Sequence, residues 1–344
     1  MSRVAIVLFN LGGPDRPEAV KPFLRNLFSD PAILRVPTLL RKPLAAAIAG
    51  RRAVAAREIY AKLGGGSPLL ANTVAQAKAL ETALSDLGEV RAFACMRYWH
   101  PRADEVAAQV KGFAPDRLVL LPLYPQFSTT TTASSLADWE AAARRASLGA
   151  PVSAVCCYPV EPGFIQALAE GIGRELEGIE RSQRVRLLLT AHGLPERVVA
   201  AGDPYQRQVE DTASAVVRAL KAPGLDWQVC YQSRVGPLRW IGPATDAEVR
   251  RAGREKRALV MAPIAFVSEH SETLVELDME YGHLAQTAGV PAYRRVPTVS
   301  TAPAFISGLA QLVRAALARG PGLASASGGR YCPAGYRGCA LGHS

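Results

Sequence analysis

The sequence predicts an α/β protein written twice: two similar doubly wound domains, each on a four-stranded parallel sheet, with a cleft between them. Three observations carry this reading. Short apolar runs without alternation recur along the chain, as expected of parallel strands covered on both faces. Helical stretches lie between them, and that alternation implies right-handed crossovers. The chain also repeats itself. LVLLP at 118–122 returns as LVMAP at 259–263, and PGFIQALA at 162–169 as PAFISGLA at 303–310, both at an offset of 141 residues. HPRADEV at 100–106 resembles GPATDAEV at 242–249, and VLFNLGGP at 7–14 resembles LLTAHGLP at 188–195. Four matches in the same order argue for internal duplication.

In chain order, the first half offers strands over 3–10, 90–98, 117–125 and 152–159, and the second over 184–192, 226–233, 258–266 and 292–300. NTVAQAKALETALSDLG, DEVAAQVKGF, DTASAVVRALKA and ISGLAQLVRAALARG read as helices between them. The halves differ at 15–65, where the first carries an apolar, basic stretch broken by prolines. Inserts of this length in compact domains are usually lids or binding walls. The expected division is a first domain over 1–160 that includes the insert, a second over 161–320, and a Gly/Cys-rich tail over 321–344.

The 344 residues are 49% hydrophobic and 20% charged, a globular composition. No apolar run reaches the roughly 18 residues of a membrane span. The N-terminal run lacks a signal peptide's cleavage region and reads as the first strand of a cytoplasmic protein. Six cysteines in a chain this long are not a secreted disulfide framework. The net charge of +10 favours anionic partners. Nucleic acid is not expected, because zinc-finger spacing and RNA-binding aromatic signatures are missing. So are GxGxxG after the first strand, the GxxxxGK[ST] loop and HExxH.

Two features point to chemistry. At the end of the first strand of each half the chain reads NLGGP and AHGLP, so His192 stands where the first copy has Leu11. In AFVSEHSETLVELDMEYGH, Glu272, Glu276 and Glu280 recur every four residues, stacking three carboxylates on one helix face. Like charges so placed repel, and the stripe follows a buried strand whose carboxyl end carries His270. In open α/β sheets ligands sit at those strand ends. A histidine facing a carboxylate there can hold a metal or move protons. The Ser/Thr run from Ser128 to Ser135 can cradle an anion or cap a helix.

Together FNLGGP, EIYAKLGGGSP, RYWHP, LPLYPQFSTTTTASS, TAHGLP, GDPYQRQV, YQSRVGPLRWIGP and PIAFVSEHSETLVELDMEY resemble the ferrochelatases, enzymes that insert ferrous iron into a porphyrin. The resemblance implies two Rossmann-like domains with a porphyrin cleft. It implies that His192 is the active-site histidine, a metal ligand or pyrrole proton acceptor. Glu272 is then the opposing carboxylate, also a candidate metal ligand, with His270 its neighbour. Glu276 and Glu280 would lead protons or metal along a partly π-type helix, which gives the charge stripe a purpose. Arg52, Tyr60 and Ser67 match porphyrin-contacting positions, and Tyr124 with Ser128 resembles another part of that pocket. Fe2+ is substrate, and the chemistry needs no cofactor. The expected reaction is insertion into protoporphyrin IX. The alternatives are coproporphyrin, cobalt or nickel insertion into a related tetrapyrrole, or a haem or metal carrier without catalysis.

Some members of that family carry a 2Fe–2S cluster on cysteines of such a tail plus one from the body. Here the tail supplies Cys332 and Cys339, and Cys156 and Cys157 are the candidates from the body. Adjacent strand residues point to opposite faces, so both can ligate one cluster only if the strand ends or bends there. Cys95 and Cys230 fall inside strands as packing residues. The basic, apolar stretch Arg35–Arg52 predicts peripheral attachment to an anionic membrane surface.

Overall fold

The apolar runs fold as expected of parallel strands. In a computed structural model that describes residues 2–342 except Arg181, Val235 and Pro237, β1 (Arg3–Asn10) is buried at every residue but its first. A 3-10 turn at Pro17–Ala19, α1 (Val20–Ser29) and α2 (Thr38–Ala61) make up the insert, and α3 (Leu69–Ala83) returns to the sheet. Then follow β2 (Glu89–Met96), α4 (Ala103–Phe113), β3 (Arg117–Pro122), α5 (Thr132–Ala146), β4 (Val152–Val155) and α6 (Pro162–Glu177). The second half runs β5 (Val185–His192), α7 (Glu196–Ala200), α8 (Tyr205–Leu220), β6 (Asp226–Gln232), α9 (Thr245–Arg254) and β7 (Ala258–Pro263). It continues through a π-helix at Glu272–Tyr281, α10 (Gly282–Thr287), β8 (Tyr293–Arg295), α11 (Pro303–Arg319) and β9 (Gly322–Ala324).

Both sheets are parallel throughout, ordered β2-β1-β3-β4-β9 and β6-β5-β7-β8. The second has the expected four strands. The first has five, because the tail adds one: Ser153, Ala154 and Val155 pair with Gly322, Leu323 and Ala324. The Gly/Cys-rich tail over 321–344 therefore begins as a strand. Backbone pairing to β4, burial of Ala324 and half-burial of Leu323 against the core beside the first sheet order it, where side-chain composition alone predicts nothing. β8 is shorter than the expected 292–300 because Pro297 has no N–H to give a ladder. The Thr298 N–H is also drawn off to Glu269, at 2.9 Å.

One hydrophobic cluster runs through both halves, taking in Ile6 and Leu8 of β1, Leu187 and Leu189 of β5, and Phe164 and Phe305 of the helices between the sheets. α6 and α11 are the duplicated PGFIQALA and PAFISGLA segments, and they pack on each other, with Phe164 and Phe305 at 5.9 Å between ring centroids. Their backbones approach closely enough to require glycine. A Cβ at Gly163 would collide with the Ala304 carbonyl, and one at Gly308 with the Glu161 carboxylate.

In each sheet the first strand of its half lies centrally, with its successors on opposite sides. That is the switch-point arrangement that opens a crevice at the carboxyl ends. β5 ends at His192 beside Gln232 of β6, so the imidazole emerges at the crevice of the second sheet.

Candidate active site

β5 delivers His192, and the segment after β7 delivers His270 and Glu272. His192 Nδ1 lies 2.8 Å from Glu272 Oε2, and His270 Nε2 lies 4.0 Å from the same oxygen. His270 Nδ1 donates to the Ser268 carbonyl at 3.1 Å, which leaves Nε2 with its lone pair. The His192 side chain is 38% exposed and that of His270 10%, so the first faces the cleft and the second backs it.

The charges are coupled. Burial works against charge on His192, but the charge and hydrogen bond of Glu272, with Glu276 behind it, outweigh burial and raise its pKa. Burial opposes ionisation of Glu272 too. His192 and His270 overcome it and hold the carboxyl at about 2. Burial pushes His270 down, so it is neutral. Burial and the charge of Glu272 push Glu276 up. The site thus combines a strengthened base, a firm carboxylate and a carboxyl disposed to hold a proton.

The acidic stripe lies on the π-helix that the resemblance implied. Glu276 accepts from the Ser233 N–H at 2.8 Å, from Gln232 Nε2 at 3.2 Å, from the Tyr281 hydroxyl at 3.2 Å and from the Ser233 hydroxyl. Ser233 Oγ also lies 3.4 Å from Glu272 Oε2, so one hydroxyl touches both carboxylates. Ser233 reaches them from a left-handed backbone conformation, φ +59°, just past β6. Glu280 is 52% exposed and 4.0 Å from Lys62 Nζ. The stripe is therefore graded from half-buried to solvated. Gln232, Ser233 and Tyr281 were not singled out from the sequence. The available signal was topological: Gln232 and Ser233 end the strand paired to the one that bears His192.

Tyr60, in the last turn of α2, joins this group. Its phenol is pushed up to about 12 by burial, with the Glu272 charge adding and a hydrogen bond to Ser271 opposing. Ser67 sits against Gly13 in the loop after β1. Arg52 is exposed on α2, its guanidinium 5.7 Å from the Phe28 ring centre. Tyr124 has a buried hydroxyl with no hydrogen-bond partner among the described residues. Ser128 is not presented to the cleft in this way: its hydroxyl is buried and bonded to Asp203 at 3.0 Å and to Thr130 at 2.8 Å. Asp203 also takes the Thr129 N–H, so this loop is a tie between the two halves.

The four cysteines named for a cluster are all buried, and Cys156 and Cys157 pack with Phe127, Tyr331 and Leu341. β4 ends at Val155, so Cys156 and Cys157 are released from strand alternation, and their sulfurs lie 3.6 Å apart. Cys332 Sγ accepts from Gln208 Nε2 at 3.2 Å. Its thiol is pushed up to about 12 by burial, with Cys339 and Cys156 adding. The donor chemistry fits a thiolate-held cluster. The arrangement is pairwise, since among the described residues no three His, Cys, Asp or Glu side chains surround a common metal position.

Comparison with known proteins agrees with this geometry. The fold resembles SirB from Bacillus subtilis with Fe3+, at a TM-score of 0.55 and 12% identity over 93% of this chain and 97% of that one. The ferrochelatase of Caulobacter vibrioides is 54% identical over 98% of this chain and 97% of its own length, and that of Pelagibacter ubique is 46% identical over 90% of each. A family model described as Ferrochelatase matches residues 3–317, spanning β1 to β8, the insert and the acidic helix. With its histidine, carboxylate and graded stripe on that frame, the chain belongs to the ferrochelatase family.

Proposed function

We propose that this chain inserts Fe2+ into protoporphyrin IX, and that His192 supported by Glu272 is the base that removes the pyrrole protons. The single observation behind this is the 2.8 Å contact between His192 Nδ1 and Glu272. With Nδ1–H donated to the carboxylate, Nε2 carries the lone pair toward the cleft. A carboxylate behind an imidazole fixes its tautomer and stabilises the imidazolium that forms. The substrate brings four nitrogens to the iron and two N–H protons that must leave. Each proton passes to Nε2. Between the two transfers the imidazolium, paired with Glu272, gives the proton up again from Nε2 to water in the cleft, which restores the Nδ1–H tautomer, and Glu276 and Glu280 lead it out to solvent. Because four ligands come from the ring, the protein needs only transient iron contacts, for which Glu272 and the free Nε2 of His270 stand ready.

The insert grips the ring. On this reading Tyr60 closes it over Ser271–Glu272, Ser67 and Tyr124 belong to the first domain's side of the pocket, and Arg52 pairs with a propionate. The apolar insert suits a ring with two carboxylates better than one with four. Anaerobic Fe2+ insertion assays with protoporphyrin and coproporphyrin test this. Faster turnover of protoporphyrin is expected. Preference for coproporphyrin would reassign the substrate, and binding of porphyrin without turnover would make the protein a carrier.

The insert also supports peripheral membrane binding. Leu39, Leu40 and Leu44 on α2 are 91%, 60% and 40% exposed, beside exposed Arg35, Lys42 and Arg51. Among the described residues no helix is long and apolar enough to cross a membrane. Apolar contact plus basic residues gives reversible adsorption to anionic lipid. Flotation with phosphatidylserine vesicles is expected at low salt and should weaken at high salt; no flotation at either would reject it.

A 2Fe–2S cluster on Cys156, Cys157, Cys332 and Cys339 is the remaining part of the proposal. Ligation would draw the tail loop onto the body and couple metal binding to local folding. When bound, the cluster would staple the tail; iron insertion itself transfers no electrons. Anaerobically purified protein should absorb in the visible and release acid-labile sulfide, and Cys332→Ser should bleach it and lower Tm. Colourless, sulfide-free protein would make these ordinary thiols.

A further inference from the structure

Arg295, on the short edge strand β8, lies behind the acidic helix, on no element of the reacting face. Its guanidinium grips Asp278 with two parallel bonds, Nε to Oδ1 and Nη2 to Oδ2, both 2.6 Å. Its third arm, Nη1, reaches Glu269 Oε1 at 2.5 Å. Two residues earlier on the same strand face, the Tyr293 hydroxyl donates to the Leu277 carbonyl at 2.6 Å. β8 therefore holds the entry to the π-helix at Glu269 and two consecutive residues, Leu277 and Asp278, in its middle. The Arg295 side chain is only 10% exposed, so these bonds are little screened.

Ten consecutive residues of π winding need such support. π-helices are rare and mostly single turns inside α-helices. Relaxed to α winding, the segment would turn by a different angle at every residue. Glu272 could not then stay on His192 while Glu276 stayed on the Ser233 N–H and hydroxyl. The acidic stripe carries its own mutual repulsion, which works against the contacts to His192 and Ser233 that depend on the observed winding.

We propose that Arg295 is a positioning residue for iron insertion: through its fork on Asp278 and its arm on Glu269 it sets the winding of the π-helix, and so the placement of Glu272 and Glu276. The fork matters as well as the charge, because a lysine ammonium cannot make the paired bonds. The inference rests on the assignment of those glutamates to the reacting face. Its test therefore includes a readout that needs no turnover.

The experiment uses the full chain with Arg295→Gln, Arg295→Lys, Asp278→Asn and the Asp278→Asn/Arg295→Gln double variant. Hydrogen exchange is followed by mass spectrometry, porphyrin affinity by fluorescence quenching, and insertion by kcat and KM. Arg295→Gln should lower kcat at least tenfold with porphyrin affinity within twofold, and exchange should accelerate in 272–281 alone. Arg295→Lys should fall between it and the parent. Asp278→Asn touches a more exposed partner, 35% by side chain, and serves if Arg295→Gln folds poorly. The double variant should lose little beyond the worse single. Unchanged exchange across 272–281 would overturn the clamp whatever the activity. Faster exchange there with full kcat would leave the clamp and remove the stripe from the reaction. A general rise in exchange with a lowered Tm and normal kcat would make Arg295 an ordinary stabilising ion pair.

Discussion

His192→Ala is expected to lower kcat for Fe2+ insertion by about a hundredfold or more, the usual contribution of a positioned base, with porphyrin affinity changed by less than about twofold. The side chain is 38% exposed and emerges at the end of a strand whose interior residues are buried, so its loss opens no cavity in the core. Glu272 would keep the Ser233 hydroxyl and the neighbouring His270. Thermal unfolding should therefore change little, which separates a lost base from a damaged fold. Anaerobic kinetics and fluorescence titration measure the two quantities. Near-normal turnover would remove His192 from the chemistry.

Glu272→Gln keeps the shape of the group and removes its charge. A loss in kcat of roughly 10–100-fold is expected, the scale seen when the partner of a functional histidine is removed, again with affinity preserved. The variant makes a second, directional prediction. Glu272 is what raises His192 against burial. Without that charge the imidazole pKa falls, so the acid limb of kcat/KM should move to lower pH. A limb that stays in place would mean that another group sets it. A loss of affinity with unchanged kcat would confine Glu272 to positioning the substrate.

Most of the frame was legible because parallel core strands are apolar throughout and cannot be mistaken for exposed structure. β1, β3, β5 and β7 are of this kind, and the match of β3 to β7 at an offset of 141 residues, with that of β1 to β5, tied the halves together. What escaped was held by backbone or by long-range partners. Gly322–Ala324 is a three-residue strand with no pattern to read, visible only when β4 offers it an edge. Spacing of four residues fits α or π winding alike, so the stripe alone did not specify the π-helix; the grip of β8 on Leu277 and Asp278 lies outside the stripe. Within the site, His192 stood out because the repeat supplied Leu11 as its reference. Ser233 had no such contrast, and its role depends on a positive φ that a serine codon does not announce. The resemblance put Ser128 in the pocket; in the fold its buried hydroxyl is bonded to Asp203.

The meeting of Phe164 with Phe305 has a consequence in symmetry. The two rings occupy equivalent positions in the two copies, as do Gly163 and Ala304, which also touch. Equivalent residues that meet lie beside the axis relating the two copies, so α6 and α11 make a self-matching contact of the sort that joins identical subunits, here closed within one chain. A pair of identical halves would have to carry two identical crevices, each with every residue of the other. Covalent joining lifts that constraint. One strand end could keep the imidazole while its counterpart kept leucine and acquired the insert, so the chain holds one asymmetric site where perfect symmetry would have imposed two.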